Sequence, residues 1–210
     1  MIFAKGSGSV SFGFTSERGT VDWKRETPRQ VFHLTNGTII ALLYTRWGAS
    51  VGWALLIMAL GGAFLAWRHT KKPFLWAKPL LELLDRPEDT RRFPAKGAVL
   101  YGLGVGFSLV VYPHYAALGA IAVLASGDAL STLVGKAWGK RRWPWNKRLS
   151  LEGSVAFFVG ATLFAQCFVP FPMALVGALI GALIETVPWP LDDNFTIPIG
   201  VGMVLALLFY

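Results

Sequence analysis

The 210-residue chain has one cysteine, three histidines and twelve acidic residues, and only 15% of its residues are charged. A lone Cys167 excludes an intrachain disulfide, a CxxC redox pair and a zinc or iron–sulfur centre built on thiolates. Within its apolar run it reads as a small core or lipid-facing residue. So few charges, beside 54% hydrophobic residues and a mean hydropathy of +0.50, exclude an ordinary soluble domain. A phosphate-loop motif is missing: the nearest match, Leu130 to Ala137, lacks the first glycine and follows Lys136 with alanine. Soluble protein-kinase signatures are missing as well. Gly102, Gly104 and Gly106 form no dinucleotide fingerprint, because no strand precedes them. The first 29 residues carry Lys5, Glu17, Arg18, Asp22, Lys24, Arg25 and Glu26 where a signal peptide needs an unbroken apolar segment.

What the chain does have is apolar runs, at about 31–44, 50–67, 96–111, 115–135, 151–169, 173–187 and 197–210. Against the roughly 17–25 residues that cross a hydrocarbon core, these are seven candidate spans, several of them short. The expected fold class is all-α: a polytopic membrane helix bundle of about seven transmembrane helices and one interfacial amphipathic helix. A polar tail, 1–29, precedes a single membrane-embedded domain, 30–210. Glu26-Thr27-Pro28-Arg29 can open the first helix with Pro28 in its first turn. Residues 74–89 set Phe74, Leu75, Trp76, Leu80, Leu81, Leu83 and Leu84 against Lys78, Glu82, Asp85, Arg86 and Asp89 at helical spacing. That pattern predicts the interfacial helix, or a plain surface one, with a Glu82–Arg86 pair on its wet face. Gly102/Gly106 and Gly177/Gly181 predict close helix packing.

Twenty Lys and Arg against twelve acids leave a net charge of +8. Such an excess points to nucleic acid, anionic lipid or a phosphorylated ligand. With seven alternating spans, every acid and every cation except Arg46 falls on the side of the N-terminal tail. The positive-inside rule then places the N-terminus in the cytoplasm and the C-terminus outside. The excess thus faces the cytosol from a multi-pass membrane protein, and nucleic acid is not an expected partner.

The densest polar signal runs from Gly127 to Ser154. Asp128 lies inside an apolar span about two turns before Lys136, where a carboxylate costs about 2.5–3.5 kcal/mol and normally has a partner or a metal. Lys136, Lys140, Arg141, Arg142, Lys147 and Arg148 then interleave with Trp138, Trp143 and Trp145. Such a loop can neutralise a triphosphate, or it is a positive-inside loop with aromatic-belt residues. Ser150 suits an N-cap and Glu152 a first helical turn. Glu185, Asp192, Asp193 and Asn194 are an oxygen-rich set of the kind Mg²⁺ prefers, or a solvated turn in which Asp193 or Asn194 caps the last helix. Arg29, His33 and Asn36 begin the first span. All of these face one mouth, and unrelated polar residues would scatter over both faces; the convergence points to a metal–nucleotide site at a membrane surface.

The strings RQVFHLTNG (Arg29 to Gly37), GDALSTLVGKAWGK (Gly127 to Lys140), LSLEGS (Leu149 to Ser154), then Glu185 and LDDNFTIP (Leu191 to Pro198), resemble the CTP-dependent lipid kinases. That family comprises dolichol kinase, phytol kinase and the fungal type of diacylglycerol kinase. The related CDP-diacylglycerol synthases carry a Gly-His-Gly-Gly element and an Asp-Arg ending that this chain lacks. The resemblance implies transfer of the γ-phosphoryl of CTP, with Mg²⁺, to the hydroxyl of a membrane lipid alcohol, foremost a polyprenol of the dolichol or phytol class. It implies Asp128, Asp193 and Glu152 as catalytic residues, and Lys136, Lys140, Lys147, Arg148 and Asn194 on the nucleotide. Asp128, Glu185, Asp192 and Asp193 would surround the metal, with Arg29, His33 and Asn36 in support. A CTP-dependent diacylglycerol kinase, a CDP-lipid synthase and a non-enzymatic transporter or lipid-binding scaffold remain alternatives; no internal repeat of the transporter kind is visible. The short chain without a transit peptide points to a prokaryotic plasma membrane.

Overall fold

The computed structural model describes residues 21–72, 74 and 93–210. Among them are seven α-helices: α1 (Trp23–Trp47), α2 (Ala49–Lys71), α3 (Lys96–Val111), α4 (His114–Ala137), α5 (Leu151–Ala165), α6 (Phe171–Thr186) and α7 (Asp193–Phe209). No strand occurs among the described residues, only an isolated antiparallel bridge between Arg142 and Ser150. Each helix coincides with one apolar run, so the all-α expectation holds. The amphipathic helix expected at 74–89 lies outside the described residues, apart from Phe74.

The boundaries follow local chemistry. Gly48, with φ of 58°, is the single residue between α1 and α2, in a backbone region that a side chain would strain. Ser150 caps α5 through a 3.0 Å bond from the Gly153 amide, as its residue type predicts. Asp192, rather than Asp193 or Asn194, caps α7: its Oδ1 accepts the Asn194 amide at 3.1 Å, which puts Asp193 and Asn194 inside the first turn. α1 starts at Trp23, so the last seven residues of the expected tail are helical and Pro28 sits inside the helix. The Glu26 backbone N–H donates a hydrogen bond to the Asp22 carbonyl, at 3.0 Å, and closes that earlier turn.

α4 is the centre. Its small residues, from Ala116 to Ala125, are almost wholly buried, and it packs on α1, α5, α6 and α7, most extensively on α5. α2 packs chiefly on α3, where Gly102 and Gly106 let the backbones close: a Cβ on Gly102 would lie 2.9 Å from the Ala59 Cβ. Among the described residues two helices, α2 and α4, are long and apolar enough to cross a membrane; α3, α5, α6 and α7 are apolar but shorter. Large apolar side chains point outward from several helices, among them Leu42, Ile57, Leu60, Leu163 and Leu207. At one end of the bundle Tyr44 of α1 stacks on His114 of α4, and the Tyr115 amide meets the Tyr210 hydroxyl beyond α7. The opposite end carries the polar groups.

Candidate active site

Chain direction gathers the start of α1, the end of α4, the starts of α5 and α7 and the end of α6 at the polar end, and side-chain bonds tie them together. Asp128 and Ser131, three residues apart, share a face of α4. The Ser131 hydroxyl donates to Glu185 Oε1 at 2.5 Å, joining α4 to α6. Glu185 is 3% exposed, and its second oxygen is buried without a hydrogen-bond partner. The carboxylates of Asp128 and Asp193 are its charged neighbours, so three acids from three helices act on one region. His33 Nε2 of α1 lies 3.9 Å from Asp128 Oδ2.

This acid group differs in detail from the expected metal set. Asp192 spends a carboxylate oxygen on the helix cap. Among the described residues, no three His, Cys, Asp or Glu side chains come close enough to enclose an ion. A Mg²⁺ ion held by one or two carboxylates, with phosphate and water oxygens completing its shell, has no need of such a cage. The unpartnered Glu185 oxygen and the nearby Asp193 fit that mode.

The basic segment after α4 is a tight loop. The Glu152 carboxylate accepts the backbone amides of Lys140 and Arg141 at 3.1–3.3 Å. The Leu151 amide bonds the Arg141 carbonyl at 2.9 Å, and Arg142 Nη1 reaches the Arg148 carbonyl at 3.0 Å. Trp143 Nε1 donates to Ser154 Oγ at 2.9 Å, and Asn146 Nδ2 to the Thr186 carbonyl, beside Glu185, at 3.3 Å. Glu152 is therefore placed as the acid that shapes the loop. Lys140, Lys147 and Arg148 present exposed side chains that pair with no acid among the described residues.

Lys136 is placed differently. Its Nζ bonds Glu26 of α1 at 2.5 Å, in a knot that also holds Arg29 at 3.1 Å and Gln30 at 2.7 Å. Burial pushes the Glu26 carboxyl up, but the bonds from Lys136 and Gln30 and the charges of Arg29 and Lys136 outweigh it and hold the group below its usual range. Arg29 is thus engaged with Glu26, and Asn36 lies half-buried further along α1. Four residues central to this geometry were not among the site residues expected from sequence: Glu26, Ser131, Asn146 and Tyr101, which packs edge-on to His33 with ring centroids 5.1 Å apart. Ser131 had a visible signal in its i,i+3 spacing from Asp128; the partners of the others lie on distant helices.

No family model matches the chain, and no solved structure matches it. Over 209 residues it is 27% identical to CTP-dependent diacylglycerol kinase 1 of Schizosaccharomyces pombe, covering 88% of this chain and 94% of that protein. It is 28% identical over 196 residues to the phytol kinase of Synechocystis, covering 85% and 78% respectively. A chloroplastic farnesol kinase of Arabidopsis thaliana is 24% identical over 217 residues, with 94% and 70% covered. The relatives of this chain are thus lipid kinases with three different acceptors, consistent with a CTP-dependent lipid kinase family.

Proposed function

We infer that the protein phosphorylates the hydroxyl of a membrane lipid alcohol, with CTP as donor. The observation that carries this reading is the acid group of Asp128, Glu185 and Asp193 beside an ordered loop whose exposed Lys140, Lys147 and Arg148 pair with no acid among the described residues. The names of the relatives support the donor and the acceptor class. An isoprenoid alcohol of the phytol class is the proposed acceptor, because two of those three relatives are named for such alcohols.

In this reading the seven helices lie in the bilayer with the polar end towards the cytosol. The outward-facing leucines, isoleucines and phenylalanines support that placement, since so much exposed apolar surface marks contact with lipid. CTP arrives from the cytosol, and the loop cations offset the charge of its phosphates. Mg²⁺ would be held by Glu185 and Asp193 and would neutralise charge on the phosphate oxygens. Asp128 orients the acceptor hydroxyl and takes its proton. The acceptor oxygen bonds to the γ-phosphorus, the bond from that phosphorus to the β-bridging oxygen breaks, and its electron pair leaves with CDP.

The test is incubation of the purified protein with γ-labelled CTP and phytol, farnesol, dolichol or diacylglycerol in separate micelles. Label in one or more phosphorylated alcohols supports the reading. In a parallel incubation with phosphatidate, label released as pyrophosphate with CMP joined to the lipid phosphate would instead make it a CDP-lipid synthase.

A further inference from the structure

Asp128 also borders a second buried polar cluster, formed with α1 and α3. Tyr101 of α3 is 7% exposed, and its hydroxyl has no hydrogen-bond partner. His33 Nε2 is likewise buried and unbonded. A Cβ placed on Gly37 would fall 3.2 Å from Tyr101 Oη and 2.3 Å from the Ala125 Cβ, so the hydroxyl sits where α1 and α4 meet. Gly37 is one turn along α1 from His33, and Ala125 is one turn along α4 from Asp128.

Buried polar groups are rarely left unbonded, and two on rings packed 5.1 Å apart point to a polar ligand that satisfies them. The His33–Asp128 separation carries the chemistry further. At 3.9 Å it is too long for a direct hydrogen bond. An oxygen about 2.8 Å from both atoms would subtend about 90° between them, a geometry open to a hydroxyl that donates to the carboxylate and accepts from the imidazole N–H.

We propose that His33, Tyr101 and Asp128 form the seat of the acceptor hydroxyl. The lipid alcohol bridges His33 Nε2 and the Asp128 carboxylate, and Tyr101 is the third polar group of the seat and holds the imidazole edge-on. The inference rests on the lipid-alcohol kinase reading and adds the residues that recognise the alcohol. His33 and Tyr101 act by placing the hydroxyl.

The test uses Tyr101→Phe, which keeps the ring and removes the hydroxyl, and His33→Gln, in the full chain in detergent micelles. Phytol and dioctanoylglycerol are the probes, each titrated at saturating CTP, and CTP is titrated at saturating alcohol. The expected result is a KM for the alcohol raised about five- to thirty-fold in each variant, the span of one or two lost hydrogen bonds. The KM for CTP and the thermal unfolding midpoint of Tyr101→Phe stay at wild-type values. An unchanged alcohol KM in both variants, or alcohol and CTP values that rise together, overturns the seat while leaving the kinase reading in place. A wild-type protein that phosphorylates neither probe, nor farnesol nor dolichol, overturns the reading itself, and the seat with it.

Discussion

Among the described residues, α2 and α4 are the two helices long and apolar enough to cross a membrane, yet 17% of the apolar window of α2 is buried and 72% of that of α4. The difference lies in side-chain size. α4 presents Ala116, Ala117, Gly119, Ala120, Ala122, Ala125 and Gly127, and their small volumes let other helices close in; a Cβ on Gly127 would lie 2.5 Å from the Phe157 ring. α2 presents Trp53, Ile57, Met58, Leu60, Phe64 and Trp67 outward and touches mainly α3. Hydrophobicity alone does not separate a lipid-facing helix from a central one. Asp128 belongs to the central type, where a carboxylate can be placed against groups from other helices.

Substitutions sharpen or break this contrast. The largest effect is expected from Asp128→Asn: CTP-dependent phosphorylation falls at least about 100-fold while expression and unfolding midpoint are retained. Near-normal turnover would remove Asp128 from the chemistry. Gly127→Val comes next, because it forces a side chain into Phe157, and overpacking of this kind costs about 1–3 kcal/mol or more. Thermal unfolding in detergent reads it directly, and an unchanged midpoint would mean that α4 and α5 are not packed this tightly.

A smaller effect is expected from Glu26→Gln, which loosens the knot between α1 and the end of α4. Because the folded carboxyl titrates below its ordinary value, its contribution to stability is present above the unfolded pKa and lost as pH falls through the folded one. The gap in unfolding midpoint between wild type and Glu26→Gln is therefore full at pH 7 and closes below about pH 4. A gap that does not change with pH would mean that Glu26 is not held as a carboxylate. The smallest effect is expected from Gly61→Ala on α2, where nothing lies within 4 Å of the added Cβ. It should leave the unfolding midpoint unchanged or raise it slightly, since alanine is the better helix former. A loss comparable with that of Gly127→Val would erase the contrast between the two helices.

Much of the site was readable as a list of residues but not as a set of partners. Asp128, Glu185 and Asp193 stand out because carboxylates in or beside apolar runs are costly. Lys136 reads like its neighbours in the basic segment, yet it joins Arg29 on Glu26, 110 positions earlier. Glu152 shares the mouth with the other acids but is occupied by two backbone amides. Tyr101 carries no signal at all, because an aromatic in an apolar helix is ordinary until its hydroxyl is found buried beside His33.

By itself, the sequence determined that the described residues are helical, where the apolar part of each described helix lies and which of their ends are charged. These follow from apolar periodicity, caps and the cost of placing charge among apolar residues, all of which act over a few positions. Tertiary structure alone decided that α4 is central, that Lys136 is spent on Glu26 while Lys140 and Lys147 meet no acid among the described residues, and that one Glu185 oxygen is left without a partner. Those outcomes depend on which helices approach closely, and that is set by the fit of small and large side chains across the whole bundle.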